Sequence, residues 1–184
     1  MAVLGDSIAS GSPEGGNGVK GWPAIVAQTL GLTVLNRGQP GTGYTISFAQ
    51  GGRPYPARVD EIIRNNPAVV IVEGSRNDLD AEATKTAATD VLGKLRRGLP
   101  QARILVIGPI YSYETNVGTT PVYDAVKAAA ASAGLTYVDT VKAGWFTGAA
   151  HSLIGSDGVH PTDEGHRYLA ELIAPLVRSL PPAS

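Results

Sequence analysis

The sequence predicts an α/β protein, a three-layer α/β/α sandwich with a parallel sheet of five strands, in one domain spanning 1–180. Three observations carry this: short apolar runs bounded by Gly, Pro or Asn, helical periodicity between successive runs, and 184 residues without internal repeat or linker. Continuous apolar strands need cover on both faces, and parallel strands need right-handed crossovers, so the helices must form two outer layers.

Val3 and Leu4 begin the sheet and run into a turn at Gly5-Asp6-Ser7. The stretch 10–21, SGSPEGGNGVKG, is too rich in glycine for a regular element and reads as a loop. Trp22, Ile25, Val26 and Leu30 then recur at helical spacing, with Gly31 as the stop. TVLN (33–36), AVVIVE (68–73), RILVIG (103–108) and LTYVD (135–139) read as buried strands. Helical patterns lie between them at 57–65, 81–98 and 121–133. A last helix at 162–179 ends before Pro181 and Pro182, leaving 181–184 as a tail.

The bulk chemistry narrows the function. Apolar residues make up 43% of the chain and charged residues 17%, as expected of a soluble globular protein. Fifteen basic against sixteen acidic residues give a net charge of −1, with no run of basic residues to track a phosphate backbone, which argues against nucleic acid as a partner. Without cysteine, there is no disulfide framework and no thiolate ligand or nucleophile. No signal peptide or transmembrane stretch is legible. The chain opens almost directly on a strand, as expected of a domain excised from a longer secreted or phage protein. Compartment and oligomeric state are not legible.

In a parallel sheet, ligands bind beyond the carboxyl ends of the strands, so the loops there are the place to look for chemistry. Ser7 directly follows the first strand. A serine hydroxyl is a poor nucleophile near neutral pH and needs a base, itself held in the right tautomer. His160 lies in SDGVHPTDEGH between the last strand and the last helix, with Asp157 three residues before it, so one short loop carries base and orienting carboxylate. His151 and His166 lack such a partner and read as solvated or structural. Acyl transfer also needs donors for the developing oxyanion. Gly41 in NRGQPGTGY and Asn77 in EGSRND follow the second and third strands and offer a backbone N–H and a side-chain amide. Taken singly, each residue has a structural reading: Ser7 as a turn residue, His160 as part of a helix start at Pro161 and Thr162, and Asn77 and Asp78 as helix caps. Their joint occurrence after different strands on one sheet edge is specific.

With these blocks in order, the sequence resembles the SGNH hydrolases, also called the GDSL esterase/lipase family, over essentially its whole length. GDS at 5–7, Gly41, Asn77 and DGVH at 157–160 match the four family blocks. The resemblance implies a flavodoxin-like five-stranded sheet and a serine esterase with Ser7, His160 and Asp157 as catalytic residues. It also implies an oxyanion hole in which the Ser7 backbone N–H joins Gly41 and Asn77, and no metal or organic cofactor. One departure is visible: the family commonly has glycine two residues before the asparagine, where this chain has Ser75 after Gly74. Arg76 then becomes a side chain that either reaches the site, where it suits an anionic or sugar substrate, or is simply solvated.

The substrate is less legible. Trp22, Tyr44, Tyr111, Tyr113 and Trp145 fall near strand ends and are candidates to line an open cleft and stack on sugars, or to pack the loop bases. Two Phe and one Met give little material for a deep acyl tunnel, which favours short acyl groups. The segments GGNGVKGWP and NRGQPGTGY look similar to SGNH domains of actinobacteria and their phages, including envelope-acting ones. The expected substrate is therefore a small-molecule or glycan ester. The alternatives are a lysophospholipase, thioesterase or lipase on the same machinery, and an inactive glycan-binding module.

Overall fold

The computed structural model describes residues 1–48, 50–110 and 121–182. β1 (Ala2–Gly5) pairs with β2 (Leu35–Gly38) on one side and β3 (Val69–Glu73) on the other. β4 (Arg103–Ile107) and β5 (Thr136–Val138) continue the sheet beyond β3, every pair parallel. The order is β2-β1-β3-β4-β5, the flavodoxin-like arrangement. The order reverses at β1, so the carboxyl ends of β1 and β3 flank the crevice where such sheets bind ligands.

Strand alternation decides which residue faces which layer. Val3, Val69, Ile71, Leu105 and Ile107 point toward α2 (Trp22–Leu30) and α6 (Asp163–Ser179), packing with Trp22, Val26, Leu169 and Ile173. Leu4, Val70, Val72, Ile104 and Val106 point the other way, toward α3 (Val59–Arg64), α4 (Ala81–Gly98) and α5 (Pro121–Ser132). There they meet Ile62, Leu92, Leu95 and Val126. The loops after β1 and β5 thus lead to one layer and those after β2 and β3 to the other.

The helices at 22–30 and 81–98 have the bounds expected from the sequence. Gly31 takes the left-handed conformation, φ 66°, that stops α2, and the Asp80 carboxylate caps α4 by accepting from the Ala83 N–H at 2.9 Å. Three expectations are corrected. Residues 7–10 form a short helix, α1 (Ser7–Ser10), which four residues cannot announce by periodicity. Strand β2 lies two residues later than 33–36, because it runs on through polar Asn36 and Arg37. Finally, β2 and β5 are partly exposed instead of buried, because they are the two edges of the sheet.

Candidate active site

The strand-to-helix turn after β1 aims Ser7. Asp6 caps α1, its Oδ1 accepting from the Ile8 N–H at 2.8 Å, which places Ser7 first in the helix, where its own N–H has no intrahelical acceptor. Gly5 is required beneath it: a Cβ there would lie 2.5 Å from Glu73 Oε2 and 2.6 Å from the Ala9 Cβ. Ser7 Oγ lies 2.8 Å from His160 Nε2, and His160 Nδ1 lies 2.5 Å from Asp157 Oδ2.

The three-residue spacing of Asp157 and His160 has a local cause. Asp157 Oδ1 accepts from the N–H groups of Val159 and His160 at 2.8 and 2.9 Å, folding the loop back so that Oδ2 meets the imidazole. The Gly155 N–H donates to the His160 carbonyl at 2.8 Å and the Thr162 N–H to the Leu153 carbonyl at 2.9 Å, closing the loop at its base. Desolvation pulls the Asp157 carboxyl upward, but the hydrogen bonds from His160 and Val159 outweigh it and hold the group down at about 2. A carboxylate that stays ionised can favour an imidazolium on His160 whenever Ser7 gives up its proton.

A second tie holds this loop from outside. Glu14, in the glycine-rich loop after α1, accepts from the Ser156 N–H at 2.9 Å and from the Ser156 hydroxyl at 2.8 Å. The same loop grips the start of α6: Asp163 accepts from the Gly16 N–H at 3.0 Å and from Lys20 Nζ at 2.7 Å. The stretch 10–21 therefore fixes the His160 loop, although it contains little regular structure.

Opposite His160, the loops after β2 and β3 are stitched together. Asp78 accepts from the N–H groups of Tyr44 and Thr45 and from the Thr45 hydroxyl, each at 2.8 Å. The buried Arg58 guanidinium donates to the Thr42 hydroxyl at 2.7 Å, to the Gly5 carbonyl at 3.1 Å and to the Arg37 carbonyl. Gly41 sits at φ 64°, a left-handed conformation that glycine alone adopts freely. The Asn77 Nδ2 stands within donating distance of Thr42 O at 3.0 Å, Ser75 Oγ at 3.0 Å and Asp6 Oδ2 at 3.2 Å. Ser7, at the start of α1, and Gly41, Asn77, Asp157 and His160, on loops, thus all lie at the carboxyl edge of the sheet. Neither Asn77 nor Asp78 caps α4; Asp80 does.

Under this surface two acids are fully buried. Burial pushes Asp6 up, against hydrogen bonds from Ile8 and Ser75; burial and then the Asp6 charge push Glu73 well above the ordinary carboxylate value. Glu73 therefore carries the proton of the pair and Asp6 the charge.

The aromatic expectations are corrected. Trp22 and Tyr44 are buried at 0% and 1% exposure and Trp145 is also buried, so none offers a ring face to a sugar. Trp22 fills the space between α2 and α6, and Tyr44 packs on Tyr55 with ring centroids 4.7 Å apart. Tyr111 and Tyr113 lie outside the described residues. Arg76 is half-buried beside Asn77. His151 is exposed; His166 is buried, its Nδ1 accepting from the Trp22 N–H at 3.3 Å, and desolvation lowers it to about 4. Sequence reasoning missed Glu14, Arg58 and Glu73, and passed over Asp6 and Ser75 as site residues. The one available signal was an acid directly beside Ser7 and another closing the apolar run of β3.

No helix among the described residues is long and apolar enough to cross a membrane. The family model for GDSL-like lipases and acylhydrolases matches residues 3–168. A GDSL lipase of Mycobacterium tuberculosis is 34% identical over 190 residues, spanning 96% of this chain and 80% of that protein. Among solved structures, a lipase/acylhydrolase from Enterococcus faecalis superposes with a TM-score of 0.75 at 16% identity, covering 100% of this chain and 97% of its own. An acetylxylan esterase from Geobacillus stearothermophilus reaches 0.71 at 20% identity, covering 96% of this chain and 92% of its own. At these identities the two structures speak for the fold alone.

Proposed function

Because this chain belongs to the GDSL-like lipase and acylhydrolase family and is a hydrolase of esters, we propose that it works through a Ser7-His160-Asp157 triad and an acyl-enzyme. The observation that carries the reading is the unbroken chain of contacts, 2.5 Å from Asp157 to His160 and 2.8 Å from His160 to Ser7.

Ser7 Oγ attacks the ester carbonyl while His160 Nε2 takes its proton, and Asp157 stabilises the imidazolium. The negative oxygen of the tetrahedral intermediate is received by the N–H groups of Ser7 and Gly41 and by the Asn77 amide. His160 then returns the proton to the departing alkoxide, leaving the acyl group on Ser7. Water, deprotonated by His160, attacks this second ester; collapse releases the acid and restores the serine hydroxyl.

For the substrate, the reading is a short-acyl ester, supported by a composition of two Phe and one Met. The glycan part of the expectation loses Trp22, Tyr44 and Trp145 as stacking platforms. A second reading, a lipase for longer acyl chains, is favoured by Phe48 and Leu79, which stand 63% and 77% exposed on the two loops that Asp78 joins. The alcohol must face His160 to receive its proton, which leaves the acyl group on the side of these loops.

The test is a panel of p-nitrophenyl esters from acetate to palmitate, with wild type and Ser7→Ala. The expected result is hydrolysis falling off beyond short acyl chains and abolished in folded Ser7→Ala. Full activity of Ser7→Ala would sink the mechanism; a maximum at long chains that Leu79→Ser removes would establish the lipase reading instead.

A further inference from the structure

The position where this chain departs from the family pattern lies beneath the oxyanion site. Ser75 is 1% exposed. Its hydroxyl stands within donating distance of Thr42 O at 2.8 Å and of Asp6 Oδ2 at 3.0 Å, and accepts from the Asn77 backbone N–H at 2.9 Å. The Asn77 Nδ2 reaches the same two acceptors and Ser75 Oγ itself. A backbone carbonyl can only accept, so the face of the amide turned toward Thr42 is its nitrogen.

Counting hydrogens gives Ser75 its role. The buried acceptors Asp6 Oδ2 and Thr42 O each demand a donor, because a buried polar atom left unpaired has lost its hydration with nothing in return. An amide nitrogen carries two hydrogens and a hydroxyl one. Without the hydroxyl, both Asn77 hydrogens are held inward, one by Asp6 and one by Thr42. With it, Ser75 serves one of these acceptors and Asn77 the other; the second amide hydrogen then faces Ser75 Oγ at 3.0 Å, an oxygen already supplied by the Asn77 backbone N–H, and can leave it for a ligand without orphaning an acceptor.

We propose that Ser75 is a positioning residue whose buried hydroxyl takes over one inward hydrogen bond, so that Asn77 can turn an amide hydrogen to the substrate's oxyanion. This rests on the reading of Ser7, His160 and Asn77 given above. The ground state gains little from the exchange, since the ester oxygen carries its full charge only in the transition state. The effect belongs in kcat.

The experiment measures kcat and KM on p-nitrophenyl acetate for Ser75→Ala, Asn77→Ala and the double variant, with Ser75→Gly as a second way of removing the hydroxyl should Ser75→Ala not fold. Asn77→Ala should lower kcat by about 10²–10³-fold. Ser75→Ala should lower kcat by roughly tenfold or more with KM within about twofold, and should cost nothing further in the Asn77→Ala background. Ser75→Thr, which keeps a hydroxyl, should recover part of the loss. If Asn77→Ala loses activity but neither Ser75→Ala nor Ser75→Gly does, the role of Ser75 is overturned and the esterase reading stands. Equal losses from Ser75→Ala in both backgrounds overturn it too, because the residue would then act independently of Asn77. An unchanged kcat in Asn77→Ala removes Asn77 from the oxyanion hole and this inference with it.

Discussion

At the scale of single residues, the site is built on groups held away from their solution behaviour. Asp157 is kept ionised by three donors, whereas Glu73 is kept neutral by burial and by the neighbouring Asp6, which outweigh the hydrogen bond from the Asp6 backbone. The consequence for stability has a definite sign. Burial holds the Glu73 carboxyl well above its ordinary value of 4.5, so its full contribution to stability is present below that pH and is lost progressively as pH rises toward and through the folded value. Glu73→Gln, which mimics the protonated acid, should therefore melt close to wild type at pH 4 and increasingly above it as the pH is raised to 9. Melting curves across that range check this, and a difference independent of pH would contradict it. The burial of Glu73 was legible, since it closes a run read as a buried strand; its protonation was not, because that depends on Asp6, which is distant in sequence.

At the scale of elements, the loops carry the precision and the strands carry the loops. Glu14 and Ser156 are 142 positions apart in sequence, and their contact is what the glycine-rich stretch after α1 contributes to the His160 loop. Glu14→Ala should let that loop wander, lowering kcat by about 10- to 100-fold with little change in KM. Glu14→Gln should retain much of the activity, since its amide oxygen still accepts from Ser156. Steady-state kinetics on the two variants decide, and equal loss in both would point to charge as the cause. The Asp-x-x-His spacing was readable because the turn it makes is local, closed by bonds from Val159 and His160. The Glu14 clamp was not readable, since a contact between distant loops leaves no periodicity. The same reasoning covers α1, too short for a pattern, and Trp22, whose place near a strand end said nothing about which way its ring would turn.

At the scale of the whole molecule, the site and the cores can be perturbed separately. Leu92 is fully buried between α4 and the sheet, on the layer away from α6. Leu92→Ala should cost about 2–5 kcal/mol, which for a chain of this size lowers the melting temperature by roughly 4–20 °C. Activity per folded molecule at 25 °C should hardly change; thermal denaturation alongside active-site titration with a serine-reactive phosphonate measures both. The fold as a whole was legible because β3, β4 and the two long helices each declare themselves by their own pattern, and five parallel strands leave few ways to connect them. The same topology sets an order of events during synthesis. Ser7 and His160 are 153 positions apart, so in the proposed triad the nucleophile is made well before its base. At the usual pace of about 5–20 residues per second, the ribosome finishes His160 roughly 8–30 s after Ser7. Throughout that interval the proposed triad leaves the nascent chain with an unactivated serine, so that on this mechanism the ability to cut esters begins only after translation has passed the His160 loop.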